Sequence, residues 1–135
     1  MKAEQLSKII LVVCALTLTA IALSFGGNPS QWVPKIYETT PVTDLNSIVI
    51  FRSVMGLILG CCAFWIYAAL SGRFLLAALY SLMFAMFGLA LARLFSLFVD
   101  GNPTMILIVY LILEAATGLI VWAIIKAYEK SQNQT

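Results

Sequence analysis

The chain has 135 residues, of which 62% are hydrophobic and only 10% are charged. Soluble domains carry about 25% charged residues, so a surface this poor in charge would aggregate in water unless lipid covered it. The net charge of +2 and the lack of an arginine-rich run argue against nucleic-acid binding. We therefore expect residues 1–135 to form a single transmembrane domain.

Four apolar runs are each long enough to cross the hydrocarbon core as a helix, which takes about 20 residues. The first run is longer than the apolar part of a signal peptide, and no small-residue cleavage site follows it, so we expect it to be retained. The sequence thus predicts an all-α fold, an integral membrane four-helix bundle. Its helices are predicted at about residues 9–26, 45–70, 74–99 and 105–126.

A long loop, residues 27–44, joins the first two predicted helices and carries Trp32 and Tyr37 among prolines and polar residues. Tryptophan and tyrosine are enriched where a membrane protein meets the lipid headgroups. Two interpretations stay open: the rings form an interfacial belt, or the loop is a lid over the mouth of the bundle.

Basic residues near the helix ends predict the orientation in the membrane. With four spans, most of them fall on the side of the two chain termini, and the opposite side has only Lys35 in its loops. Because lysine and arginine are retained on the cytoplasmic side, we expect both termini in the cytoplasm and the 27–44 loop outside. The residues on the side of the termini are Lys2, Lys8, Arg73, Lys126 and Lys130.

Three charged residues fall inside predicted helices, where a charge costs about 3 kcal/mol or more. Arg52 lies seven residues past the start of the second helix, and Arg93 lies seven before Asp100, so each is about 10 Å below the outer boundary. Glu114 lies eleven residues past Pro103, or about 16 Å down. We therefore expect Arg52, Arg93 and Glu114 to face the bundle interior and to meet in its outer half.

Small and polar residues recur on the helix faces that carry these charges. Ser96 and Asp100 share a face with Arg93, so we include them in the candidate charge cluster. Small residues at such spacings let membrane helices approach closely. The candidate helix-packing residues are Gly56, Gly60, Gly88 and Gly118.

The residues needed for familiar catalytic sites are missing from the sequence. It has no histidine, which removes the commonest general base and the commonest metal ligand. Its three cysteines, Cys14, Cys61 and Cys62, all lie inside apolar runs and are expected to pack as small hydrophobic side chains. We therefore expect no metal, no cofactor and no enzymatic activity.

Four interpretations of the charge cluster and the bundle remain open. The cluster is either an internal salt-bridge network or a site for the head of an anionic lipid or amphiphile, since two arginines exceed one glutamate. Alternatively, the chain is an accessory or structural subunit of a larger membrane complex, with Gly56-x-x-x-Gly60 as a contact face. An enzyme acting on lipid ranks last. The expected partners are membrane lipid and either a membrane protein or a second copy of the chain.

Several residues also resemble a known family. They are Arg52-x-x-x-Gly56, the run from Ala92 to Ser96 with the following Asp100-Gly101-x-Pro103, and Glu114. Together they resemble the small bacterial membrane proteins of domain-of-unknown-function family 4345, over about residues 46–126. The resemblance implies a four-helix membrane bundle and suggests that Arg52, Arg93, Asp100 and Glu114 matter together. We expect the protein to lie in a bacterial inner membrane. It implies no known activity.

Overall fold

The computed structural model describes residues 3–132, which fold into five α-helices with no strand among them. Four of these helices are long and apolar enough to cross a membrane, which confirms the predicted all-α class with four spans. In chain order the helices are α1 (Ala3–Gly26), α2 (Pro29–Tyr37), α3 (Leu45–Ser71), α4 (Leu75–Val99) and α5 (Met105–Gln132).

The short helix α2 corrects the prediction that residues 27–44 form a loop throughout. Asn28-Pro29 reads as a stop signal, but the same dipeptide also starts a helix. Proline suits the first helical position because its missing N–H needs no partner there. The amide of Trp32 donates to the carbonyl oxygen of Asn28 at 3.0 Å, and the residue that follows α2, Glu38, adopts a left-handed conformation with φ of 54°.

Local capping fixes the two ends of α3. At its start the Asp44 carboxylate accepts hydrogen bonds from the amide and the hydroxyl of Ser47, at 2.8 and 2.9 Å. Such a cap satisfies a backbone N–H that the first turn leaves without a partner. At its end Gly72 takes a left-handed conformation with φ of 71°, which glycine adopts without steric cost. The resulting turn to α4 is short, as the sequence predicts.

The four long helices form two closely packed pairs, α1 with α3 and α4 with α5, whereas α3 and α5 pack least of all. Lys8 of α1 lies beside Gly72 in the α3–α4 turn. At the opposite end of the bundle, the rings of Phe25 and Phe51 lie 6.2 Å apart. We call these the terminal end and the loop end of the bundle, respectively.

The tightly packed core lies toward the terminal end. Trp65 is 1% exposed, and its indole N–H donates to the hydroxyl of Ser81 at 2.8 Å, which joins α3 to α4. Near the same end, the Tyr80 hydroxyl of α4 donates to Glu129 of α5 at 2.8 Å. Toward the loop end fewer side chains are buried, and space remains between the two helix pairs. The core includes Leu11, Ala15, Cys62, Ala68, Leu79, Leu82, Val121 and Ile125.

The glycines divide into packed and unpacked positions. A Cβ added at Gly118 would lie 2.7 Å from the ring of Phe87, so this ring of α4 packs directly on α5 there. Gly26, which was not among the candidate packing residues, touches Met55 and brings α1 against α3. A Cβ would meet nothing within 4 Å at three other positions, so these mark no close packing within residues 3–132: Gly56, Gly60 and Gly88.

Candidate functional site

A cavity of about 370 Å³ lies in the space between the two helix pairs. This volume is at the lower end of the range for small-molecule sites, about 300–1,000 Å³, which are mostly apolar with a few placed polar groups. All four long helices and the end of α2 contribute to the wall. Its apolar part includes Ile21, Phe25, Ile58, Met86, Leu89 and Leu113.

An ion pair between α4 and α5 forms the most polar part of the wall. The Nε group of Arg93 donates to both carboxylate oxygens of Glu114, at 2.9 and 3.1 Å. Glu114 is only 8% exposed, and the Arg93 guanidinium carbon lies 5.6 Å from the centre of the Tyr110 ring. The pair therefore satisfies a carboxylate that would be costly to bury alone. The rise per residue predicts overlapping depths for these two charges, and in the structure they meet.

The far end of the Arg93 side chain is not used by the protein. Within the described part of the chain, the hydrogen bonds of Arg93 run from Nε, and its two terminal Nη groups bond to no residue. These groups carry four N–H donors in a plane that matches the two oxygens of a carboxylate or phosphate. Arg93 lines the cavity, so Glu114 orients one side of the guanidinium while the other side stays available.

Arg52 does not join this pair, and the expectation that it faces the interior is wrong. It is exposed on α3, two residues before Val54, which lines the cavity. Two residues on a helix are about 200° apart, so Arg52 lies on the side away from the cavity. An arginine about 10 Å from the helix start can extend to the headgroups and needs no buried carboxylate. The charge site is therefore an Arg–Glu pair, not an Arg/Arg/Glu cluster.

Ser96 and Asp100 form a separate contact at the end of α4. The Ser96 hydroxyl donates to the Asp100 carboxylate, and Asp100 is exposed. Asp100 has no bond to Arg93, so it does not contribute to the ion pair. Ser96 still lies close by, because it lines a second, smaller cavity of about 90 Å³ together with Arg93, Pro103 and Leu107.

Helix α2 places one of the two loop aromatics at the cavity. Tyr37, its last residue, is partly buried and lines the cavity together with Tyr110. Burial raises the pKa of the Tyr37 phenol above its usual value, so this group stays a neutral hydroxyl. Trp32 is instead 45% exposed, with the Lys35 ammonium 5.3 Å from its ring centre. The position of Tyr37 fits the lid interpretation, and that of Trp32 fits the belt.

Residues 3–132 contain no group of three or more histidine, cysteine, aspartate or glutamate side chains placed to hold a metal ion. The three cysteines are free thiols, and Cys14 lines the cavity.

The chain matches a known protein family. Residues 6–125 match the model of a family described as a domain of unknown function, the one that the sequence resembles. No curated protein and no solved structure matches the chain.

Proposed function

Because the chain belongs to the family Domain of unknown function (DUF4345), whose description assigns no activity, its function must be inferred from the site, and we propose that the bundle binds an anionic lipid or similar amphiphile in its cavity. The polar head lies at Arg93, and the hydrocarbon part lies among the apolar side chains of the four long helices. The cavity lies inside the bundle, so a membrane lipid can enter it directly from the bilayer.

The available side of the Arg93 guanidinium is the observation that carries this proposal. The Arg93 side chain is 30% exposed on a membrane-spanning helix, at a depth where the bilayer offers little water, so its unpaired N–H donors need acceptors from another source. Here Glu114 takes only the Nε group, and Arg93, whose four terminal N–H donors bond to no described residue, lines the cavity. An anionic head supplies the acceptors that these donors lack.

Loss of the bound amphiphile from Arg93→Leu tests the proposal, and Arg52→Leu is the matched control. Both variants remove an arginine from a spanning helix, but only Arg93 lines the cavity. We expect native mass spectrometry after mild extraction to find the same bound amphiphile on wild type and Arg52→Leu. Charge-assisted hydrogen bonds contribute about 1.5–3 kcal/mol, so Arg93→Leu should retain roughly 10- to 100-fold less.

A second variant distinguishes loss of the ligand from loss of the fold. Arg93→Leu/Glu114→Leu removes both charges and leaves no stranded carboxylate, so it should fold and also lose the ligand. If this double variant keeps the amphiphile at the wild-type level, the cavity pair is a packing device and the proposal fails.

The exposed face of α3 favours a second candidate function, that of an accessory subunit in a membrane complex. Arg52, Gly56 and Gly60 are all exposed. Only 6% of the residues in the most apolar stretch of α3 are buried, compared with 39% in the most apolar stretch of α4. Glycine pairs at this spacing let a second helix approach closely. An acidic residue on that helix would neutralise Arg52.

We expect Gly60→Leu to abolish recovery of any partner protein that copurifies with the wild type in mild detergent, because leucine fills the contact face. Gly88→Leu is the control, since Gly88 is also exposed and also has open space around it. Equal partner recovery from both variants would exclude the α3 face as the contact.

The orientation of the bundle follows from the basic-residue bias, and we propose that both ends of the chain lie in the cytoplasm of a bacterium, with α2 outside its inner membrane. In a variant without native cysteines, Thr40→Cys should react with an impermeant thiol reagent added to intact cells. Ser131→Cys should react only after the cells are opened. The reverse pattern would mean that the orientation is inverted.

A further inference from the structure

The size of the cavity limits how much of a lipid it holds. A water molecule occupies about 30 Å³ of liquid, and a methylene group is of similar size, so about 370 Å³ accepts roughly a dozen non-hydrogen atoms. A phospholipid with two acyl chains has several times that number. The volume therefore fits one hydrocarbon chain of medium length with a small head.

The shape of the cavity fits the same ligand. On α4 the wall runs from Arg93 to Met86, seven residues or about 10 Å along the helix axis. On α1 it runs from Phe25 to Ile10, or about 22 Å. The cavity is thus elongated parallel to the helices, and its ion pair lies on the loop-end side of Met86. A single chain can extend from Arg93 toward the packed core.

The net charge of the site limits the charge that the head group of the ligand can carry. Arg93 and Glu114 together are neutral, and Arg52 on the far side of α3 adds nothing. A head with two negative charges would lie near the Glu114 carboxylate in an apolar wall, where charges of like sign repel strongly. A singly charged carboxylate adds one negative charge and matches the planar pair of Nη groups. The neutral hydroxyl of Tyr37 in the cavity wall offers one further donor.

We infer that the occupant is a single-chain carboxylate of about a dozen non-hydrogen atoms, a medium-chain fatty acid, with its head on the Nη groups of Arg93 and its chain directed toward Met86. This inference rests on the proposed function and specifies its ligand. Longer fatty acids and two-chain lipids leave the remainder of their hydrocarbon outside the cavity, so we expect them to bind less tightly than a medium-chain fatty acid.

Equilibrium binding to the full chain in nonionic micelles tests the inference, with radiolabelled decanoate as the probe. Decyl phosphate, at about pH 8 where it carries nearly two charges, and a two-chain phosphatidylglycerol serve as competitors. We expect decanoate to bind at least tenfold more tightly than either competitor. Arg93→Leu/Glu114→Leu should weaken decanoate binding at least tenfold.

A cavity-filling variant tests the position of the chain. Thr117 lines the cavity three residues after Glu114 on α5, and the neighbouring Ala116 is exposed. Thr117→Phe should therefore weaken decanoate binding at least tenfold, whereas Ala116→Phe, which adds the same ring on the outer face, should leave it unchanged.

The outcomes separate this inference from the proposed function. Arg93-dependent binding of phosphatidylglycerol that excludes decanoate, or decyl phosphate binding as tight as decanoate, overturns the fatty-acid assignment and leaves the amphiphile site intact. Decanoate binding that is unchanged in both Thr117→Phe and the double variant overturns the inference, because the ligand then lies elsewhere. If neither decanoate nor either competitor binds in an Arg93-dependent way, both the inference and the proposed function fail.

Discussion

Arg93→Leu alone is expected to destabilise the folded protein by about 3–5 kcal/mol, because it leaves the Glu114 carboxylate charged, buried and without its partner. Glu114 is 8% exposed and takes both of its charge-assisted hydrogen bonds from Arg93 Nε. Removal of both charges in Arg93→Leu/Glu114→Leu leaves no buried charge unpaired, and such replacements of a whole pair often leave the stability unchanged. The double variant should therefore be more stable than Arg93→Leu.

Thermal unfolding in detergent, followed by circular dichroism, measures this difference on the wild type, the single variants and the double variant. Arg52→Leu should change stability by no more than about 0.5 kcal/mol, as expected for an exposed residue, and adding it to the double variant should change little. A double variant that is as unstable as Arg93→Leu would contradict this expectation. It would show that Arg93 or Glu114 stabilises the fold through contacts other than those with each other.

Gly26→Leu is expected to separate α1 from α3 and to cost at least about 1–3 kcal/mol, the typical cost of overpacking a core. The new Cβ would overlap the Cβ of Met55, an atom attached to the backbone of α3 that cannot rotate away. The two helices themselves must therefore shift. Because α1 and α3 form one of the two closely packed pairs, the loss should lower the midpoint of thermal unfolding clearly.

Gly56→Leu is the matched control for this prediction. Gly56 lies one residue after Met55, but an added Cβ there meets nothing within 4 Å. Its replacement should leave the unfolding midpoint of the detergent-solubilised protein unchanged or slightly higher, since leucine favours helix more than glycine does. Equal losses in the two variants would contradict the close approach of α1 to α3 at Gly26.

The number and type of the spans could be predicted from sequence because the length of an apolar run is a direct measure of bilayer thickness. The meeting of Arg93 and Glu114 could be predicted as well, because the rise per residue fixes the depth of each charge. Both inferences use distances along the helix axis, which the sequence encodes directly.

The helix faces could not be predicted in the same way. In a soluble helix the polar side marks the solvent, but lipid is as apolar as leucine, so both sides of a spanning helix carry the same residue types. Arg52, Gly56 and Gly60 share one side of α3, and nothing in their spacing tells whether that side faces the bundle or the membrane. The structure places all three on the exposed side.

The position of Tyr37 at the cavity could not be predicted, because the helix signal at Asn28-Pro29 is ambiguous. Asn28-Pro29 ends α1 and also begins α2, and a prediction that uses it only as a stop leaves the following residues as loop. Once Pro29–Tyr37 is a helix, its last residue lies over the cavity instead of in a free segment. A start signal for α2 is present in the sequence, because proline at a first helical position is a common beginning.

A crystal structure of the protein, purified with its bound lipid and grown from a lipid mesophase, would show whether an amphiphile occupies the cavity. We expect elongated density inside the cavity, with its polar end within hydrogen-bonding distance of the Arg93 Nη groups and its chain extending toward Met86. Density confined to the outer faces of the helices, with the Arg93 Nη groups bonded only to protein or water, would contradict it.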